Sequence, residues 1–299
     1  MFLICSCLVV PRAAGQEKSG FPVLKGPYLG QIPPDTIPVP FAPGILNPDG
    51  DRMHGFPSFS PDGREVCWSL LRIKERRPVG LLMTMKEEGG VWTSPRILPF
   101  SGLYLEQAGC FSPDGRRLLF QSRRPGGSGS LDIWYVERTD TGWSAPVSPG
   151  SPPNSDKLES QPSMTREGHL YLIRSMEGVG FNRGIYRSEW NGSEYEAPEP
   201  LDDRVNTPSI DTYPFVTPDE QILVFSSSRP AAKEEDLKLV VCFRTDGGGW
   251  TEPADLSAAL GLEGPARFPC ITPDGRYLFF LYKGEIFWVD ATVINRLRP

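Results

Sequence analysis

Phe59-Ser60-Pro61-Asp62-Gly63 returns as Phe111-Ser112-Pro113-Asp114-Gly115. With substitutions it returns again as Met164-Thr165-Arg166-Glu167-Gly168, Val216-Thr217-Pro218-Asp219-Glu220 and Ile271-Thr272-Pro273-Asp274-Gly275. The last residues of successive copies are 52, 53, 52 and 55 residues apart, and so regular a period marks a repeat architecture. The phrase is turn chemistry. Proline presets φ at the first corner, aspartate bonds its own backbone, and glycine accepts positive φ. Each copy is expected to be a tight hairpin, with Arg166-Glu167-Gly168 and Glu220 departing from the pattern in the third and fourth.

Working outward, each turn is followed by an apolar run: Val66-Cys67-Trp68, Leu118-Leu119-Phe120, Leu170 to Ile173, Ile222 to Phe225 and Tyr277 to Leu281. Such runs suit strands buried on both faces. A third strand is expected at Gly80 to Met83, Asp132 to Val136, Gly184 to Arg187, Leu237 to Val241 and Glu285 to Val289. A fourth begins with an aromatic three residues before a proline: Trp92 and Pro95, Trp143 and Pro146, Tyr195 and Pro198, Trp250 and Pro253. Proline is tolerated there because this would be an outer edge strand. The fifth cycle runs out before its fourth strand, and Phe41-Ala42-Pro43 resembles the missing piece. The expected fold is therefore all-β, a five-bladed β-propeller of four-stranded antiparallel blades with the ring closed by the N-terminal strand. The alternative is six blades, the extra one within residues 20–40.

These residues also carry a family resemblance. The Phe-Ser-Pro-Asp-Gly turn, its apolar strand, Ser122-Arg123-Arg124-Pro125-Gly126-Gly127 and then Asp132-Ile133-Trp134-Tyr135 resemble the WD-like propeller repeat of TolB and related envelope proteins, over about residues 40–290. The resemblance implies an extracytoplasmic binding scaffold, a propeller gate attached to a peptidase, or a polysaccharide-active enzyme.

Composition narrows the classes. Among 299 residues, proline (32) and glycine (31) abound while 39% are hydrophobic, which describes a turn-rich globular chain with a core. A net charge of −6 with no basic run interleaved with aromatics argues against nucleic acid. Phe2 to Val10 is almost wholly apolar and is followed by Ala13-Ala14-Gly15, so residues 1–15 read as a signal peptide. Cys7 after Ile4-Cys5-Ser6 offers the alternative of a poor lipobox carrying a lipid anchor. Residues 16–39 then form an extended N-terminal segment and 40–299 the propeller. No later stretch has the roughly 18 apolar residues of a transmembrane helix. The expected location is periplasmic, secreted or cell-envelope. Cys67, Cys110, Cys242 and Cys270 all sit in apolar strand patterns and read as small buried hydrophobes, a disulfide remaining open.

Stacking the repeats yields the candidate site. Nine residues before each turn residue stand His54, Glu106, Glu159, Asp211 and Ala266, where each innermost strand begins beside the channel; Arg267 adjoins the last. Six to nine residues after it stand Arg72, Arg123 with Arg124, Arg174, Arg229 and Lys283, where the second strand ends. Antiparallel pairing places both sets on one face of the disc, an acidic inner ring beside a basic one. Such a mouth suits a protein, peptide or glycan of the envelope, with arginine forks on carboxylates and acids on hydroxyls or amines. The bland reading is that each acid pairs with a neighbouring arginine or caps turn amides, once per blade. A carbohydrate-active hydrolase or lyase using Glu106, Glu159 or Asp211 is the competing class. There is no Gly-x-Ser-x-Gly elbow, Walker loop or His-Glu-x-x-His, and no catalytic residue, metal or cofactor is assigned. His169 follows the third turn and reads as a surface residue. Asn47-Pro48-Asp49-Gly50-Asp51 lacks the later glycine and glutamate of a calcium loop and reads as a polar turn. Gly126 to Ser130 reads as a flexible connector. Trp92, Trp143, Trp190 and Trp250 suggest sugar stacking, but three of them recur at one repeat position, which favours packing between blades.

Overall fold

The computed structural model of the chain describes residues 20–47, 51–175, 183–231 and 233–299. The leader expected at 1–15, with Cys5 and Cys7, lies outside them, as do the central residues of the polar turn proposed at 47–51. The turn phrase decides the local structure as expected. In all five copies the last residue's N–H reaches the Ser or Thr carbonyl three residues back, at 2.8–3.0 Å. The Ser60 hydroxyl donates to Asp62, and the Asp62 carboxylate accepts the Arg64 N–H; Asp114 and Asp274 do the same. The divergent third and fourth turns form too. Gly168 and Glu220 both take positive φ, +93° and +57°. Left-handed backbone disfavours glutamate by roughly 1 kcal/mol, and here Glu220 is held by bonds from Tyr171 Oη and Arg187 Nε, both 2.7 Å and both from the preceding blade.

Five antiparallel sheets follow, and they make a five-bladed β-propeller. Blade 2 consists of Gln107–Phe111, Arg117–Ser122, Asp132–Thr139 and Gly142–Trp143; blade 3 of Glu159–Met164, Leu170–Ser175, Arg183–Ser188 and Glu199–Pro200. Blade 4 consists of Asp211–Val216, Ile222–Ser227, Lys238–Phe243 and Ala254–Asp255. Blade 1 has the longest central hairpin, Glu65–Lys74 with Arg77–Glu88, while its inner strand (Arg52–Met53, Ser58–Phe59) and outer strand (Val91–Trp92, Arg96–Ile97) are each in two pieces. The outer strands explain the aromatic-to-proline spacing. Pairing takes in Trp92, Trp143, Tyr195 or Trp250, is interrupted up to the proline, which has no N–H to donate, and resumes at the residue that follows it.

Blade 5 (Ala266–Ile271, Tyr277–Tyr282, Glu285–Asp290) takes its outer strand from Val39–Pro40, in register with Trp288 and Phe287. The expected ring closure is therefore formed. The six-blade alternative does not hold. Residues 20–38 contain five prolines, none with an N–H to donate to a ladder, and they run as a strap with one 3-10 turn at Tyr28–Gly30. Trp92 binds the strap through its backbone N–H to Leu24 O and its indole N–H to Gly26 O.

Each inner strand of blades 2 to 5 carries the same irregularity. Ala108, Gln161, Tyr213 and Phe268 have φ of +53° to +56°, and the ladder slips there. The bulge turns backbone donors toward the previous blade. The Ala108 N–H meets Ser69 Oγ at 2.9 Å, and the Gln161 N–H meets Gln121 Oε1 at 3.0 Å. The next residue is proline in three of these four blades and glycine in the other, as expected on an edge facing the channel rather than a partner strand. All four body cysteines are buried free thiols, the expected small hydrophobes, and burial pushes Cys110 up to about 12. Among the described residues no helix is long and apolar enough to cross a membrane.

Candidate functional site

Strand direction gives the disc two unlike faces. The five turns lie on one, and the connections between blades lie on the other. On the connection face the predicted residues meet in a repeated device. In blade 3, Glu159 stands directly opposite Arg174 across the first two strands, and Arg174 Nε donates to its carboxylate at 2.8 Å. Glu159 also accepts the Ser155 N–H at 3.0 Å and the Ser155 hydroxyl at 2.6 Å. In blade 4, Asp211 binds Arg229 at 2.8 Å and takes both donors of Thr207. In blade 2, Glu106 binds Arg124 at 3.3 Å and accepts the N–H groups of Gly102 and Tyr104. In all three the residue four before the acid supplies a backbone donor.

The arginines complete the arrangement. Arg124 donates to Phe100 O, Arg174 to Pro152 O and Pro153 O, and Arg229 to Arg204 O and Val205 O. These carbonyls belong to the chain arriving from the previous blade. Each acid and arginine pair therefore ties an incoming connection to the strands it feeds. One expectation needs correction. The acids were expected to face an open channel mouth, yet Glu106 and Glu159 are 0% exposed and Asp211 1%. The bland reading, an arginine partner and backbone amides once per blade, is the arrangement found, each pair lying within one blade because the second strand returns its end to the start of the first.

Among the described residues, blades 5 and 1 depart from this arrangement at the ring position. Ala266 takes the acid's place in blade 5, and the neighbouring Arg267 reaches out to Glu234, donating to its backbone O at 2.9 Å with the carboxylate 3.9 Å away. In blade 1 Arg72 pairs with Asp51, which precedes the ring position, leaving His54 there without an arginine partner. The imidazole instead packs on Phe268 (centroids 5.1 Å), which lies on Tyr213 (3.9 Å), so three rings run around the inner wall from blade 4 to blade 1. Burial lowers the pKa of His54, and the Arg52 and Arg267 charges lower it further, outweighing its own backbone bond and Glu234. His54 Nδ1 and Arg267 Nε are buried atoms with no hydrogen-bond partner. Gln107 Nε2, Gln161 Oε1 and the indole nitrogens of Trp134, Trp143 and Trp250 in blades 2 to 4 share that state, so it is the packing of His54 and Arg267 at the ring position that sets them apart.

Sequence reasoning missed Asn154 and Asn206. Each bonds both backbone groups of one third-strand residue, Ile133 or Ile185, at 2.8–2.9 Å and so continues the sheet with an amide side chain. Their signal was a polar residue a constant five before the ring acid. Among the described residues no group of three or more His, Cys, Asp or Glu is placed to hold a metal ion.

No protein-family model and no curated protein matches the sequence. Solved structures do resemble it. A protein assigned as TolB from Agrobacterium tumefaciens shares 18% identity over 77% of this chain and 69% of its own, with a TM-score of 0.50. The arabinanase of Bacillus subtilis shares 14% over 80% of this chain and 93% of its own, also at 0.50. TolB from Acinetobacter baumannii shares 13% over 80% of this chain at 0.46, and the present chain spans only 54% of its length. At these identities the likeness shows the propeller scaffold, which serves binding proteins and enzymes alike.

Proposed function

We propose that this chain is a non-enzymatic binding propeller of the TolB-like, WD-like repeat kind, acting in the periplasm or at the cell envelope. Residues 1–15 serve as its signal peptide or lipoprotein-like leader, 16–39 as the N-terminal segment ahead of the ring and 40–299 as the binding domain. One observation carries the reading: among the described residues the acid and arginine device stands at the ring position in blades 2, 3 and 4, whereas blade 5 has Ala266 there and blade 1 has His54, its own acid and arginine pair lying at Asp51 and Arg72. A regular frame interrupted at one place is where a protein departs from structural economy for function. Glu106, Glu159, Asp211 and their arginines, with Arg72, hold the frame; His54 and Arg267 contact the ligand. A cationic fork beside a neutral imidazole and an aromatic wall suits a protein segment, peptide or glycan rich in acceptor oxygens.

The carbohydrate-active reading needs two carboxylates free to face each other across a sugar, about 5–10 Å apart. The three candidate acids are instead engaged by arginine and by backbone N–H groups, which argues against their acting as acid and base. The test is thermal unfolding of the protein across a panel of envelope peptides and oligosaccharides, repeated with Arg267→Gln and His54→Leu. A ligand that stabilises by mass action and loses its effect in both variants, while their own Tm stays close to the parent's, is the expected result. Release of reducing ends from any glycan of the panel, abolished by Glu159→Gln, would overturn the proposal.

A further inference from the structure

The positions at which the third repeat leaves the pattern of the others meet at one place on the turn face. Four turns have proline where the third has Arg166. Gly168 of that turn lies so close to the Trp190 indole that a Cβ would meet the ring at 3.2 Å. His169, expected as a plain surface residue, is half-buried, and its Nδ1 accepts the backbone N–H of Trp190 at 3.1 Å. Trp190 is the tryptophan off the position shared by Trp92, Trp143 and Trp250. It meets Tyr195 edge to face with centroids 4.9 Å apart, and both rings are partly exposed.

These two rings line a cleft of about 760 Å³ between blades 2 and 3, within the roughly 300–1,000 Å³ usual for ligand sites. Four arginines line it as well. Arg117 is paired with Glu137 at 3.2 Å and Arg138 with Glu65 at 2.9 Å, but among the described residues Arg116 and Arg166 have no carboxylate partner. Of the three acids lining the cleft, Asp114 is bonded within its turn and Glu137 to Arg117, leaving only Glu167 uncommitted. Arg166 also borders the funnel of about 130 Å³ at the turn-face end of the channel, so funnel and cleft share a wall.

We propose that this cleft binds an acidic glycan, a run of uronate-type sugars, independently of the opposite, connection face. The apolar face of a pyranose stacks on the Trp190 platform that Gly168 and His169 brace, and the Arg116 and Arg166 forks receive the carboxylates. An acidic peptide offers the carboxylates but not a flat apolar ring face to match the indole, which is why a sugar fits better.

The experiment titrates the full chain with fluorescently end-labelled hexamers of galacturonate and mannuronate, a neutral glucose hexamer and hexaglutamate, reading polarisation and Trp fluorescence. The expected result is binding of at least one uronate hexamer, weakened about tenfold or more by Arg166→Gln and by Trp190→Ala, with neither the neutral hexamer nor hexaglutamate bound comparably. Arg116→Gln, at an exposed turn position, is the second charge variant, and Tm measurements confirm that the variants remain folded. Binding of no uronate hexamer overturns the proposal, and so does binding indifferent to the Arg166 and Arg116 variants. Hexaglutamate bound as tightly as the uronates and insensitive to Trp190→Ala assigns the cleft to acidic peptides instead.

Discussion

Blades 2 to 4 and the seam between blades 5 and 1 solve one problem, fixing each blade to the next, by different physics. In the body of the ring a buried carboxylate, an arginine and two or three backbone groups tie every connection, supplemented by side-chain bonds to the inner bulges. At the seam the tie is apolar. Phe41 meets Phe279 and Trp288 with centroids 4.8 and 5.1 Å apart, Tyr28 packs on Phe59, Tyr277 and Trp288, and one hydrophobic cluster spans the strap, blades 4 and 5, and blade 1. The contrast follows from connectivity. A connection in the body is covalent and needs only directional polar bonds to set its path. The ring closes inside blade 5, where Val39–Pro40 pairs with Glu285–Asp290 from the other end of the chain and no short connection joins the two strands, so closure depends on buried area, which resists separation without requiring a particular path.

The largest effect is therefore expected at the seam. Removing residues 1–42 takes away the outer strand of blade 5 and the buried side chains of Leu29, Phe41 and Ala42. This deletion is expected to abolish the cooperative thermal transition seen by calorimetry. Phe41→Ala alone should cost about 3–5 kcal/mol, the usual range for a core aromatic. A truncated chain that melted cooperatively near the parent Tm would show that the apolar seam does not close the ring.

Next in size is the polar device. Glu159→Ala leaves the Arg174 guanidinium buried without its carboxylate, and breaking such a pair costs about 3–5 kcal/mol. The double change Glu159→Leu with Arg174→Leu should recover a large part of that, since replacing both members of a buried pair with apolar residues is often near neutral. Denaturant unfolding of the parent, Glu159→Leu, Arg174→Leu and the double change measures the coupling. Full additivity of the two single changes would mean that the pair does not act as a unit, and the distinction between body and seam would weaken.

How much of this was legible in sequence depends on whether a feature repeats. The turn phrase, the apolar strands and the aromatic-to-proline spacing recur, and each translated directly into hairpin, core strand and interrupted edge. The ring position was equally visible: Glu106, Glu159 and Asp211 sit at the starts of the inner strands or just ahead of them, while His54 follows the first piece, Arg52–Met53, of the inner strand of blade 1. What periodicity does not encode is orientation. Glu106 and Arg124 share a face in any propeller, but whether the carboxylate points into the channel or back into its own connection depends on the chain arriving from the previous blade. That chain differs in every repeat: Gly102 and Tyr104 in one, Ser155 in another, Thr207 in a third. Arg166 and His169 show the converse. They depart from the residues at the same places in the other turns, but only the packing of Gly168 and His169 against Trp190 reveals the neighbourhood they share.

The smallest expected effect separates the two regions by pH. His54 at the seam titrates from the neutral form favoured by its burial, so its folded pKa lies below the ordinary 6.5. Between that value and the lowered one the unfolded chain binds the proton and the folded chain does not, so stability is full above 6.5 and falls as pH falls through this window, by at most about 1.4 kcal/mol per pH unit for one group. The turn aspartates behave differently. Burial works to raise Asp62, Asp114 and Asp274, but hydroxyl and backbone N–H bonds outweigh it and hold them below the usual 3.8. Their contribution is intact above that value and is lost only as pH falls further. A shallow decline in Tm beginning near neutrality therefore belongs to the seam, and a steep one in strong acid to the turns. His54→Leu should flatten the first and leave the second. If the shallow decline persists in that variant, the protonation that weakens the ring lies elsewhere, and the neutral imidazole on Phe268 is not the acid-sensitive element of the seam.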